Sequence, residues 1–192
     1  YPDLTRNLIQ TINNGVALIN YIGHGDPETW SGEQLINKSR DLPLIHASQN
    51  RLAIWVAGTC SFGNYYEQNS FMEDLLLKAD GAIAVIASTE AVGYDENYNY
   101  LNRLFLKISN FIDDPTEEDT TRLGELIWKA KNGDKKFHTF GDPALPLPFP
   151  KIAADIVNEY PENINLVEEE NISFNAPSQY SSILIRKNEK EV

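Results

Sequence analysis

The sequence is short of the residues that would settle its chemistry by themselves. It has one cysteine, so no disulfide can form within the chain. It has three histidines, His24, His46 and His138, and their spacing matches no zinc-ligand pattern. Basic residues are few: 16 Lys and Arg stand against 28 Asp and Glu, a formal net charge of −12. That balance excludes a protein that tracks nucleic-acid phosphates or docks on anionic lipid, since both need a basic face. No apolar run approaches the ~20 residues of a membrane-spanning helix. No basic-then-apolar leader opens the chain. It begins Tyr1-Pro2-Asp3 and enters helix at once, as expected of a segment cut from a longer polypeptide. Glycine-rich phosphate loops are also missing, since Gly23-His24-Gly25 does not match one.

What is present is ordinary globular material, 42% hydrophobic and 23% charged over 192 residues, enough for one core and part of a second domain. Three apolar runs stand out: 16–23, 52–59 and 82–88. They are short and rich in β-branched or small residues, which predicts strands buried on both faces of a parallel sheet. Helices are expected between them. Leu4, Leu8, Ile9 and Ile12 share a face that stops at Asn14-Gly15, and a short helix is expected after Gly32. Ser70 and Glu73 have capping-box spacing ahead of Leu75, Leu76 and Leu77. Later stripes run Leu101, Leu104, Phe105, Ile108 and then Leu123, Leu126, Ile127, Ala130. The segment around Glu90, Gly93, Tyr94 and Asp95 is expected to be a loop, 112–121 a solvated acidic connection, and Phe140-Gly141-Asp142-Pro143 a turn. Alternating strands and helices predict a three-layer α/β/α sandwich with a mostly parallel sheet over residues 1–150. After Pro146, Pro148 and Pro150 the composition changes. Short strands are expected at 164–167, 172–174 and 182–185, so 151–192 is a linker and the start of a small β domain.

The first two strands end in chemistry. One leads into His24-Gly25 and the other into Thr59-Cys60-Ser61. Parallel strands present their C-terminal ends at one edge of the sheet, where α/β proteins bind ligands. A thiol with a pKa near ~8.5 needs a base to become a nucleophile, and imidazole can take that proton and return it to a leaving amine. The oxyanion formed on attack needs donors, for which the amides of Gly25 and Cys60 are placed; losing one costs about 3 kcal/mol. Taken alone, a histidine at a strand end is commonly structural and a single cysteine commonly a small buried residue. Their joint placement favours the pair. His46, His138 and Asp142 are read as structural. Trp30, Phe62, Tyr65, Tyr66 and Tyr94 either line a substrate cleft or pack the loops. Glu90 and Asp95 either favour a basic substrate side chain or are solvated acids.

These segments resemble the gingipain family of cysteine peptidases, in the caspase-like clan. Asn20-Tyr21-Ile22-Gly23-His24-Gly25 with Trp30 following is similar to the family's histidine segment. Cys60-Ser61-Phe62-Gly63, Gly81-Ala82-Ile83-Ala84, Tyr98-Asn99-Tyr100-Leu101-Asn102-Arg103 and Phe140-Gly141-Asp142-Pro143-Ala144-Leu145 look most like the PorU-type signal peptidases, the sortases of the type IX secretion system. The resemblance implies a caspase-like sandwich followed by an immunoglobulin-like β domain. It implies a dyad of Cys60 and His24 with Gly25 and Cys60 in the oxyanion hole, and a cleft for which Trp30, Ser61, Phe62, Glu90 and Tyr94 are candidates. It implies a polypeptide substrate drawn from exported proteins, secretion-system partners, and a secreted or outer-membrane, cell-surface location. No cofactor is required by the dyad, and no metal ligand is assigned. Calcium, which the family uses and which suits an acidic surface, is an expected candidate, although no run carries the spaced oxygens of a calcium loop. The family places the acid that orients the histidine upstream of the histidine segment. Asp26, Glu28 and Glu33 lie downstream and are therefore not given that role. Two other function classes fit the same residues: a surface-protein module with the fold but without catalysis, and an enzyme acting on a non-peptide acyl group.

Overall fold

Strands wet on one face alternate polar and apolar residues; the central strands here do not, because helices cover both sides of the sheet. The computed structural model describes residues 2–48, 50–66, 70–113 and 122–147, together with 155–156 and 174–175. Strand β4 (Ala53–Gly58) is buried at every position, and β5 (Ala82–Ser88) at every position but Ile83. The four-stranded sheet has the order β1-β4-β5-β6, with β1 spanning Leu18–Ile22 and β6 Phe137–Gly141. β1, β4 and β5 are parallel, and β6 closes the edge antiparallel to β5. Between Ala53 and Ile54 the β4–β5 register slips, pairing them with Ala82 and Ala84. Ile83 is thereby turned out to solvent while its neighbours stay buried.

One face of the sheet carries Trp55, Ala57, Val85 and Ala87, covered by Ile12 of helix α1 (Pro2–Asn14) and by Phe71 and Leu75 of α3 (Phe71–Leu77). The other carries Ile54, Val56, Ala84 and Ile86, covered by α4 (Tyr94–Asp113) and α5 (Leu123–Lys131) through Leu101, Leu104, Leu126 and Ile127. The result is a caspase-like α/β/α sandwich with a mostly parallel sheet. Tyr100 stacks on Phe137 with centroids 4.1 Å apart, fastening α4 to the edge strand, and burial pushes its phenol above the usual tyrosine range. The capping box of α3 is formed: Ser70 Oγ accepts from the Glu73 amide at 3.2 Å, and Glu73 Oε2 accepts from the Ser70 amide at 3.0 Å.

Three expectations need correction. The helix expected after Gly32 is mostly a hairpin, β2 (Thr29–Trp30) with β3 (Ile36–Asn37), followed by a single helical turn, α2 (Lys38–Asp41). Trp30 and Ile36 lie opposite each other, and both are buried, so the core pays for the hairpin. The segment expected as loop at Tyr94 and Asp95 already belongs to α4, whose entry is held by Glu96 Oε2 accepting from the Gly93 amide. Phe140 and Gly141 belong to β6, and the turn begins one residue later, at Asp142.

The chain forms two compact units, Tyr1–Phe149 and Pro150–Val192. In the second, β7 (Asp155–Ile156) pairs antiparallel with β8 (Phe174–Asn175), which shares only Phe174 with the strand expected at 172–174, the rest of which lies outside the described residues. The strands expected at 164–167 and 182–185 lie outside the described residues, as does most of the acidic connection. No helix among the described residues is long and apolar enough to cross a membrane.

A polar knot ties α1 to the turn before β5. The His46 amide donates to Asn13 Oδ1 at 2.8 Å, His46 Nδ1 meets Asp80 Oδ2 at 3.0 Å, and Lys78 pairs with the same carboxylate. Lys78 first and His46 second lower the Asp80 pKa from 3.8 to about 2. A carboxyl depressed in the folded state stabilises it above the unfolded pKa and loses that contribution as pH falls through the folded value. Asp80→Asn is therefore expected to melt below the native protein at pH 7. The gap should close between about pH 4 and pH 2. A gap in melting temperature that stays constant across that window would show that the ionised carboxylate contributes nothing.

Candidate active site

The register sets the site. Ile22 pairs with Gly58, so β1 and β4 end level, and His24 and Cys60 each follow two residues later. The ladder continues one step beyond the strands, where the Gly23 amide donates to the Gly58 carbonyl at 3.0 Å. That carbonyl accepts a second bond, 2.6 Å, from Asn97 Nδ2 on α4. The two loops then touch. A Cβ placed on Gly25 would fall 2.3 Å from Thr59 Oγ1 and 2.6 Å from the Thr29 carbonyl, so only glycine lets the histidine loop lie against the residue before Cys60.

The histidine loop is shaped by Asp26. Its Oδ1 accepts from the amides of Glu28 (2.7 Å) and Thr29 (2.8 Å), and its Oδ2 from Thr29 Oγ1 (2.7 Å). The loop returns so that Gly25 faces Trp30, and the Ser31 amide donates to the His24 carbonyl at 2.7 Å. Tyr21 Oη donates to the same carbonyl at 2.8 Å. The backbone of His24 is thus held from two sides while its ring stays exposed. Asp26 is used in the turn, and no carboxylate among the described residues pairs with the His24 ring.

The cysteine loop is held by the segment after β5. Ser61 has φ +55°, a left-handed conformation that costs a non-glycine residue energy and persists only where the surroundings impose it. They do so here: the Ser61 amide donates to the Glu90 carbonyl at 3.0 Å, the Gly63 amide to the Ser88 carbonyl at 2.8 Å, and Ser88 Oγ also to the Glu90 carbonyl, at 2.8 Å. Cys60 is half-buried, and its Sγ lies 3.6 Å from the Val92 carbonyl. The amides of Gly25 and Cys60 are matched to no acceptor among the described residues.

The aromatic alternatives now separate. Trp30 and Phe62 are not cleft residues. They are 1% and 0% exposed and belong to the core under the loops. Trp30 stacks on Tyr21 at 4.8 Å and packs against Trp55 (5.3 Å) and Phe62 (5.5 Å), and Phe62 continues to Phe71 at 5.7 Å. Large apolar rings beside a crevice gain more by leaving water than by lining it. Tyr65 and Tyr66 are exposed, and so is Tyr94, which stacks on Tyr98. Glu90 turns its side chain to solvent and serves the loop through its backbone. His138 Nε2 meets the Lys135 carbonyl at 2.9 Å, and Asp142 Oδ1 accepts from the Ala144 amide, both structural as expected. Sequence reading missed Asn97 and Tyr21. Both act on backbone carbonyls, and no local pattern marks such a contact. Among the described residues, no three of His, Cys, Asp and Glu gather closely enough to hold a metal ion.

A family model described as peptidase family C25 matches residues 1–148. Among solved structures, the chain is similar to the Arg-specific cysteine proteinase gingipain R, with TM-score 0.62 and 21% identity over 74% of this chain and 36% of that one. It is also similar to the complex of Porphyromonas gingivalis RgpB pro- and mature domains (TM-score 0.61, 20% identity, 74% and 37% covered). A third similar structure is described only as a protease (TM-score 0.55, 17% identity, 80% and 41% covered). At these identities the likeness is one of fold, and this chain spans well under half the length of the structures it matches. No curated protein matches.

Phe62→Ala should lower unfolding free energy by about 3–5 kcal/mol, the usual cost of emptying an aromatic site in a core. Gly25→Ala should cost about 1–3 kcal/mol, because the added methyl meets backbone on one side and Thr59 on the other. Urea denaturation measures both. Losses under about 0.5 kcal/mol, the range of ordinary surface substitutions, would contradict the packing described.

Proposed function

The chain belongs to peptidase family C25, and on that premise we propose that it carries the reacting half of a gingipain-type cysteine endopeptidase, with Cys60 as nucleophile and His24 as its base and acid. The observation that carries this reading is the contact of the two loops: parallel neighbours β1 and β4 end level, and Gly25 lies directly on Thr59. A peptide carbonyl entering there would be attacked by the Cys60 sulfur as the thiol proton passes to imidazole. The oxygen would take its negative charge facing the unmatched amides of Gly25 and Cys60. His24 would then return the proton to the leaving amine, the C–N bond would break, and the thioester left on Cys60 would be hydrolysed by water. An exposed imidazole on a fixed backbone suits this work, because the ring can turn between sulfur and amine.

Ser61, Glu90 and Tyr94 lie in the two segments that meet at Cys60 and are proposed for the acyl side of the cleft. Support comes from the Ser61–Glu90 backbone bond and from Val92, two residues before Tyr94, facing the thiol. The finer reading follows from the segments similar to PorU-type enzymes: a signal peptidase or sortase of type IX secretion, secreted or held at the outer surface and acting on exported cargo with secretion-system partners. Calcium belongs to the same proposal, as a ligand of the intact protein.

Three results are expected with the intact protein. Mass spectrometry of candidate exported proteins should find new termini with the native enzyme and none with Cys60→Ala. His24→Ala should lower kcat about 10²–10⁴-fold while leaving stability within about 0.5 kcal/mol, since the ring is exposed. Cys60 should also alkylate with iodoacetamide far faster than a buried thiol. Absent cleavage together with slow alkylation would favour a non-catalytic surface module.

A further inference from the structure

A cavity of about 250 Å³ opens beside His24. It is lined by His24, Gly25, Asp26, Thr29, Ser31 and Gln34, with Gly32 at the hairpin tip. No residue of 58–66 lines it. It has room for about eight waters at ~30 Å³ each, the size of one side chain rather than of a folded segment. Two wall residues hold conformations that L-residues avoid, Ser31 at φ +62° and Gln34 at φ +54°. Both are imposed by a tight set of bonds: the Gln34 amide to the Ser31 carbonyl at 3.1 Å, the Leu35 amide to Ser31 Oγ at 3.3 Å, and the Ser31 amide to the His24 carbonyl. The hairpin tip is therefore bent into the cavity wall and anchored to the histidine backbone.

The chemistry of the dyad decides which part of a substrate meets this cavity. After attack, the acyl portion stays on the Cys60 sulfur, while the amine takes its proton from imidazole and departs past it. A cavity lined by His24 and by no residue of the cysteine loop is placed to receive the amine side. Its wall holds one carboxylate, Asp26, and no Lys or Arg. Asp26 accepts three hydrogen bonds, leaving one of about four lone-pair directions free. The exposed Glu28 and Glu33 stand beside the wall and add negative charge. From this, and resting on the Cys60–His24 reading, we propose that the cavity is the subsite for the first residue after the cleaved bond, and that it selects a Lys or Arg side chain and rejects an acidic one.

The test uses the intact enzyme and matched peptides with Lys, Ala or Glu immediately after the cleaved bond. The native protein should favour Lys over Glu by about tenfold in kcat/KM. Asp26→Asn keeps a side-chain oxygen for the two backbone donors, so the turn persists while the charge is lost, and the ratio should fall to within about twofold. Gln34→Gly removes the side chain at a φ that glycine adopts freely, and it too should reduce the preference. In the Cys60→Ala protein, a peptide with a photo-crosslinking side chain at that position should label residues 26–34. Labelling of 60–66 instead, or a ratio unchanged by Asp26→Asn in an active enzyme, would overturn the assignment and leave the peptidase reading intact. Failure of the native enzyme to cleave any peptide would overturn both.

Discussion

Trp30 against Phe62, with ring centroids 5.5 Å apart, is the contact on which the site depends. One ring comes from the hairpin that follows His24, the other from the loop that follows Cys60. Neither is exposed to water, and each continues into further rings: Tyr21 and Trp55 on one side, Phe71 on the other. Burying such side chains is worth about 1.5–3 kcal/mol each. That exceeds the roughly 0.5–1.5 kcal/mol of a neutral hydrogen bond, so an apolar cluster helps to set the distance between a thiol loop and an imidazole loop. The same cluster reaches the reacting groups directly, because the Tyr21 ring that stacks on Trp30 carries the hydroxyl that holds the His24 carbonyl.

Above this apolar floor the polar groups act on backbone rather than on side chains. Asn97 holds the Gly58 carbonyl, Asp26 holds the amides of its own turn, and the segment after β5 holds Ser61 in its left-handed conformation. The His24 ring and the Cys60 thiol are left with little to constrain them. This division suits a site whose proton carrier has to move between two atoms while the chain around it stays still. In the proposed reading it would also divide the crevice, with the cysteine loop and the residues after β5 on the acyl side and the hairpin tip with its two strained residues on the amine side.

Much of this was legible in the chain. Apolar runs at 52–59 and 82–88 read as strands buried on both faces, and the helical stripes between strands pointed to a layered α/β fold. Ser70 and Glu73 announced the start of α3 three residues apart. Less was legible where elements are short. The β2–β3 hairpin has two residues per strand, too few for alternation to show, and β6 is five residues whose last, Gly141, runs into Asp142-Pro143 and so reads as a turn. Trp30 and Phe62 could not be sorted into cleft or core, because an aromatic residue beside a reactive loop looks the same in either role.

What the amino-acid order determined by itself was the inventory: strands ending in His24-Gly25 and in Cys60, glycine where the chain must pass close, and one sheet to carry both. Local periodicity and capping are written within a few residues, so they survive being read as text. Tertiary structure alone decided that β1 and β4 are neighbours in level register, that Asn97 from a helix 39 positions away holds Gly58, and that the hairpin tip bends into a cavity beside the imidazole. Those outcomes depend on which apolar surfaces pack together across long separations, and no window of sequence contains both halves of such a contact.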